Sequence, residues 1–557
     1  MIDLKLISPS HLVEYHRTIA KWTRLSGTAE ERAAAAYVEG QLREFGYTTQ
    51  ILVHDAYISL PGPATLRMTA PESREIFCIT HSMGVKTDPS GVIGELVYVG
   101  KGTPDEYARA GAKGKVALVD DMATPEQAVE GTRAGVRGLI FISGRHAHEM
   151  CVSPIWGNPA ASTIQALPRI PLLSVHRADG EMLRELCAKA RVDVHMTAAV
   201  ETKWTNTPIV IADLRPGHSE ADPEQFVLFS GHLDGWHLGA MDNGSANATM
   251  LEVARVLASR RADFRRGLRL AFWSGHSHGR YSSSAWYVDH HWFDLAEHCV
   301  AHVNIDSVGG IAADRFVTNS MPETLELGAW AVRQVAQAEL NGKRVGRDSD
   351  QSFLGVGIPS ILGSLSHQTD GSLGWWWHTP HDTVDKIDPV RLVRDAKIFA
   401  LVVDRWLSGE LLPLNALAGA ADLRASLEGL AREAGSAFDL SAATAAAVGL
   451  EDACGRLQQV SASAAGVRAR EINACLLALC RTLIPATYTS AGRFSHDPAL
   501  DNEFLPRLAA ARRLASLPRE SDAARFLLVD LVRGRNAVIA ALREARAAVE
   551  RCLARVS

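Results

Sequence analysis

Cysteine is scarce and scattered. The eight cysteines in 557 residues include no CxxC pair and no dense framework, so neither a disulfide scaffold nor a thiolate cluster is expected, and free thiols point to a reducing compartment. No apolar run approaches the roughly 20 residues that a membrane helix needs. The opening stretch, MIDLKLISPSHLVEYH, lacks the apolar segment of a secretory signal. A net charge of −5 without a long tail of one sign leaves no basic footprint for nucleic acid. Together these absences predict a cytoplasmic, soluble protein with neither a membrane nor a nucleic-acid partner. Length predicts several domains, because one core rarely serves a chain this long.

What is present changes in texture along the chain. TAEERAAAAYVEGQLREFGY opens with Thr28 three residues before Glu31, the spacing of a capping box. Ala34, Val38, Leu42 and Phe45 then fall on one helical face, and Gly46 supplies a stop. TTQILVHDAYI reads as a strand. From about residue 61, SGVIGELVYVGKG, KGKVALVDD and RGLIFIS are short strands, with TPEQAVEGTRAG a helix before the last. VGKGT resembles the end of a phosphate-binding loop, but Gly102 follows Lys101 where Ser or Thr is required, which excludes it. Between about 205 and 410 the near-continuous apolar runs FVLFSGH, LRLAFWS, CVAHVNID and SILGS alternate with helices. Strands covered on both faces read this way, so an α/β fold with a mostly parallel sheet is expected. After Pro413 the chain turns to Ala, Leu and Arg. In the last helix Leu528, Leu531, Val538, Leu542, Ala545, Val549 and Cys552 keep a 3–4 spacing broken at Arg535. That seam serves internal bundle packing or a subunit interface equally well.

Polar residues cluster where the predicted strands end. FVLFSGHLDGWHLGAMDNGSANA places His232, Asp234 and Asp242 past one strand, and HVNIDSVGG places Asp306 at the end of another. GWWWHTPHDTVDKID adds His378, Asp382 and Asp385. Ligands bind at the carboxyl ends of strands in open α/β sheets. Imidazole and carboxylate without thiolate suit zinc, manganese or iron.

On these motifs the chain resembles the co-catalytic zinc aminopeptidases, and more closely their glutamate-carboxypeptidase and transferrin-receptor branch. The resemblance implies a discontinuous metallopeptidase-like domain (1–60 and 205–412), a β-rich α/β protease-associated insert (61–204) and a helical dimerisation domain (413–557), hence a homodimer. Carried over by position, His232, Asp242 and Asp306 match one metal site, Asp242 matches the carboxylate that bridges two ions, and His378 matches the histidine of the second site. Asp234 matches the carboxylate that orients a ligand histidine. One or two divalent ions per chain are implied, with zinc ahead of iron or manganese.

One motif departs from the family. FWSGHSHGRYSSSAWYV puts His276 and Ser277 where the family carries Glu-Glu, the general base and a ligand of the second ion, and His278 follows. Three readings result. In the first, a metal-dependent hydrolase of an amide or peptide-like bond uses His276 as base or recruits His276 or His278 as a ligand, with Arg280, Tyr281 and His237 contacting a small-molecule substrate. In the second, the fold survives as a receptor-like binding protein. In the third, GHSHG is the elbow of a serine hydrolase with Ser277 as nucleophile and Asp306 and His378 completing the order. Asp350 in RDSDQSF matches a family segment in which Gln351 replaces the usual histidine.

Overall fold

The computed structural model describes residues 2–556. Two strands of unusual length organise the chain: β1 (Thr48–Ala70) and β6 (Val192–Leu214) pair antiparallel from Thr48↔Asp213 to Ala70↔Asp193. Between them in sequence lie β2 (Val92–Tyr98), β3 (Val116–Val119), β4 (Gly138–Ile142) and β5 (Leu172–Val175), which run parallel to one another. After them come β7 (Phe226–His232), β8 (Gly267–Trp273), β9 (Cys299–Asp306) and β10 (Ser360–Ser364). β8 and β9 flank β7 in parallel, and β10 runs parallel to β9. β6 joins both groups, pairing antiparallel with β8 at one end and with β2 at the other. Among the described residues, one continuous sheet of twelve strands results. The expected boundaries at 61 and 204 fall inside β1 and β6. A change of composition does not register where a strand simply continues.

The apolar runs are doubly covered, as period-2 geometry requires. Val227 and Phe229 of β7 face one core with Leu270 and Phe272, beneath helices Pro9–Ile19, Ala246–Ala258 and Pro389–Ser408. Phe226 and Leu228 face the other with Ala271 and Trp273, beneath Tyr287, Val288 and Leu295. The predicted helix near the N-terminus spans Ala29–Glu44, with the Thr28 side chain accepting the Glu31 N–H. Glu31 does not reciprocate as a capping box would. It is fully buried, accepts the Gly27 N–H at 2.6 Å, and takes the Ser274 hydroxyl beside the GHSHG turn.

After Pro413 the chain forms long helices: Ala416–Ala434, Ser441–Ser461, Val467–Tyr488 and Asp522–Val556. The last packs against Ser441–Ser461 and Val467–Tyr488. Its seam is therefore internal. Leu531, Val538, Leu542, Ala545, Val549 and Cys552 are buried, whereas Leu528 is 42% exposed and the break at Arg535 is bridged by buried Gly534. All eight cysteines are free. No helix among the described residues is long and apolar enough to cross a membrane.

Candidate metal centre

The strand ends converge on one edge. His232 closes β7 beside Trp273 of β8, and Asp306 closes β9 beside Ser364 of β10. The segment after β7 carries Asp242, and the loop after β10 carries His378.

Two histidines face one carboxylate there. His232 donates its Nδ1–H to the Asp234 carbonyl at 2.7 Å, which leaves Nε2 as a lone pair. That Nε2 is buried without a hydrogen bond, although Asp242 Oδ1 and Asp306 Oδ1 lie 3.1 and 3.5 Å away. His378 donates its Nδ1–H to the Glu149 carbonyl at 2.6 Å, and its Nε2 stands 2.9 Å from Asp242 Oδ2. Each Asp242 oxygen thus confronts an imidazole lone pair, an arrangement stable only with positive charge between them. Burial opposes charge on His232, but Asp306 and Asp242 outweigh it and hold the imidazole well above its ordinary range. Burial would also raise Asp242, yet His232 and His378 hold its carboxyl well below the usual range. Buried, convergent nitrogen and oxygen donors around a carboxylate with two occupied sides fit a divalent ion.

Buried groups hold these ligands in place. The Asp382 carboxylate accepts the N–H groups of Met241 and Asp242 at 2.8 and 3.0 Å, so the loop that carries His378 also fixes Asp242. Burial lifts this carboxyl to about 7. Arg24, fully buried, donates to the carbonyls of Leu233, Leu238 and Gly239, and also to Ile19 and Trp22, pinning both ends of the loop between His232 and Asp242. Arg24 carries no motif. Its only sequence signal is a charge between two amphipathic helices.

The GHSHG stretch forms a single helical turn, His276–Gly279, after Gly275 at a φ of 61°. The Asp234 carboxylate accepts the N–H groups of Ser277 at 3.0 Å and His276 at 3.3 Å, and the Ser26 hydroxyl at 2.6 Å. This corrects the role expected for Asp234. Its carboxylate is 3.8 Å from His232 Nδ1, and it is the backbone carbonyl that orients the ring. A carboxylate at the start of a helical turn satisfies otherwise unpaired N–H groups. Burial is outweighed by His278, His232 and His276 around it, and the Asp234 carboxyl sits at about 2.

Within the turn, His276 and His278 diverge, because residues two apart on a helix do not share a face. His276 donates its Nδ1–H to Asp350 Oδ2 at 2.7 Å, and Asp350 is held in turn by the Ser284 hydroxyl at 2.7 Å. His232, His276 and Asp306 bring ligand atoms within 4.8 Å of one another. The His232 and His276 rings, however, stack face to face at 3.7 Å and 10°. A nitrogen lone pair lies in its ring plane, so parallel rings do not aim at one ion, and His276 stands beside the His232 ligand position. His278 is not one of that group. It is fully buried, with Nδ1 3.0 Å from the Ser26 hydroxyl, its ring against Trp236 and its Nε2 without a hydrogen-bond partner. Ser277 Oγ has no hydrogen-bond partner, so no base is engaged with it as an elbow serine requires.

A cavity of about 380 Å³ opens on the centre, lined by Asp242, Asp306, His276 and His378 together with Arg280 and Tyr281. Tyr281 packs on Trp156 and edge-on against His276. His237 lies outside this lining, with Nε2 at 3.8 Å from Glu149 behind His378. Sequence reading missed two further residues. Asp350 was visible as a motif residue but not as a partner of His276. Glu149 comes from the segment between β4 and β5, and its N–H and carbonyl both bond His378.

Residues 210–403 match the sequence model of peptidase family M28. This stretch is similar to an M28 peptidase domain. The chain is 23% identical over 400 residues to aminopeptidase YwaD of Bacillus subtilis, covering 70% of this chain and 82% of that one. It is 24% identical over 442 residues to a probable glutamate carboxypeptidase of Zea mays, covering 67% of this chain and 59% of the maize protein. An M28 peptidase precursor structure from Shewanella amazonensis aligns over 73% of this chain and 95% of its own, with a TM-score of 0.61 at 19% identity. The zinc aminopeptidase structure from Bacillus subtilis aligns over 73% and 97%, with a TM-score of 0.57 at 21% identity.

Proposed function

We propose that this M28 protein is a metal-dependent hydrolase of a peptide or related amide bond, with His276 as the general base. One observation carries the reading: His232 and His378 face the buried Asp242 carboxylate, Asp306 lies beside His232, and His276, paired with Asp350, lines the same cavity. A divalent ion held by these residues, zinc first among the candidates, would polarise the scissile carbonyl and acidify a water. The chain's own residues do the rest. Asp350 fixes the tautomer of His276, so Nε2 is the nitrogen left to accept a proton and then pass it to the leaving amine. Asp234 anchors the turn that places His276. Asp242 and His378 suit a second ion, although Ser277 stands where the family's second-ion carboxylate would be.

The test combines elemental analysis with substitution. Two equivalents of metal per chain support a dinuclear centre, and one equivalent supports a centre resting on His232, Asp242 and Asp306. His276→Ala should lower kcat by about 10²–10⁴-fold at unchanged metal content. A loss of metal in that variant would make His276 a ligand, and an unchanged rate would remove it from the mechanism. Ser277 in place of a carboxylate favours a second reading, a binding protein without turnover. Failure to retain metal after reconstitution would select it.

A further inference from the structure

We propose that a second cavity, between helix Pro322–Ala336 and the C-terminal helices, binds an apolar primary amine as its cation, with Glu323 as the anionic anchor. Helix Pro322–Ala336 packs against Pro389–Ser408 and Ala416–Ala434. Where these helices meet Ser441–Ser461 and Val467–Tyr488 they leave a space of about 790 Å³, lined by Leu327, Trp330, Leu412, Leu457, Ile472 and Leu476. A narrow chamber of about 50 Å³ adjoins it, sharing Glu323, Leu414, Ala416, Cys454 and Leu476. Beyond them the chamber is lined by Leu479, Leu483, Ile484, Phe504 and Tyr488. No lining residue is shared with the cavity of the metal centre. An apolar cavity with a few convergent polar groups is the usual form of a small-molecule site.

Two polar groups stand unpaired in this lining. Among the described residues, the Glu323 carboxyl accepts only its own backbone N–H, and no cation acts on it. The one charge it feels is Asp422, of the same sign, which is itself paired with Arg344. Burial foremost, with Asp422 adding to it, lifts the Glu323 carboxyl to about 7. Helix Ala416–Ala434 lies against this carboxyl at Gly419, where a side chain would meet Glu323 Oε2 at 3.2 Å. Tyr488 is 8% exposed and its hydroxyl has no hydrogen-bond partner. Burial, then Glu323, holds this phenol well above its ordinary range, so the two groups are neighbours. The other charges of the wide space are engaged or exposed: Asp404 pairs with Arg260, Glu326 accepts the Asn415 amide at 3.0 Å, and Arg333 and Arg405 are exposed. A buried carboxylate without a counter-charge is costly. A protonated amine supplies that charge and has N–H groups for both Glu323 and the Tyr488 oxygen, while the leucines take its hydrocarbon. The apolar lining does not suit a hydrated metal ion, and Glu323 with Asp422 repels an anion.

The probes are 2-phenylethylamine, hexylamine and decylamine, each against the matching alcohol, titrated calorimetrically into the full chain at pH 8 with and without chelator. At least one amine should bind at least about tenfold more tightly than its alcohol, the worth of a hydrogen bond to a charged group. Glu323→Gln keeps the shape and removes the charge, so it should erase that preference, and Tyr488→Phe should weaken the amine severalfold. Without ligand, Glu323→Gln should have a Tm at or above wild type at pH 8, because an unpaired buried charge is gone. A lower Tm would mean that the carboxylate already has a partner in the folded chain, which overturns the proposal. Amine binding that chelation abolishes, or that Glu323→Gln leaves unchanged, would put the amine at the metal centre or elsewhere and also overturn it. So would amines that bind no better than alcohols, or that do not bind.

Discussion

In the proposed mechanism His276 and Asp350 together take over a carboxylate's task. A glutamate base needs no partner to set its proton, whereas an imidazole must be told which nitrogen to keep free. Asp350 does so at 2.7 Å. Asp350→Asn preserves shape while removing the acceptor charge, so it should cost kcat about tenfold or more, as loss of such orienting partners does in metal and catalytic sites, with metal content unchanged. Coupled loss of metal in that variant would instead place the pair inside the ligand set. Glu149 makes a different prediction. Burial pushes its carboxyl up to about 8, so the folded chain keeps a proton that the unfolded chain gives up near the ordinary range. That contribution to stability is complete below the unfolded value and is lost as pH rises to about 8. Glu149→Gln should therefore match the wild-type Tm near pH 5 and exceed it above pH 8. A Tm difference that stays constant with pH would refute this.

At the scale of elements, the single turn after β8 decides which histidine faces the centre. Spacing of two is ambiguous in a loop but divergent in a helix, and only the folded turn, with Asp234 at its start, says which applies. The last helix offers a clearer case of legible pattern with an illegible gap. Its 3–4 apolar spacing was readable, but the residue that bridges the break is Gly534, where a side chain would meet the Arg507 carbonyl. Gly534→Leu should destabilise the chain by about 1–3 kcal/mol, the usual cost of overpacking, read as a lower Tm with far-ultraviolet dichroism retained. A Tm at or above wild type would show that the helix has room there. The reading of Glu31 as half of a capping box failed for a related reason. Its spacing was right, but tertiary partners at Gly27 and Ser274 took the carboxylate.

Across the whole molecule, the centre ties distant segments together. His378 is held by Glu149 from between β4 and β5, Asp242 by Asp382, and the loop between His232 and Asp242 by Arg24 from the segment between the first two α-helices. An ion bound only by the folded chain adds stability by mass action, about 2.7 kcal/mol at 100 times its Kd. Chelation should therefore lower Tm by several degrees, and zinc should restore it. A Tm indifferent to chelator in protein shown to hold metal would mean that the site does not couple to the fold.

By itself, the sequence determined the α/β alternation, the helical C-terminal region and the ligand types at the strand ends. Apolar periodicity and strand-end chemistry are local, and β7, β8, β9 and β10 lie where the apolar runs are. Four of the candidate residues, His232, Asp242, Asp306 and His378, were legible because motifs keep their spacing. Tertiary structure alone decided the partners. That His276 rather than His278 lines the cavity, and that Arg24, Glu149 and Asp350 hold the residues around it, depend on contacts between residues far apart in sequence. No spacing rule records such contacts, because they exist only once the sheet has brought its strand ends to one edge.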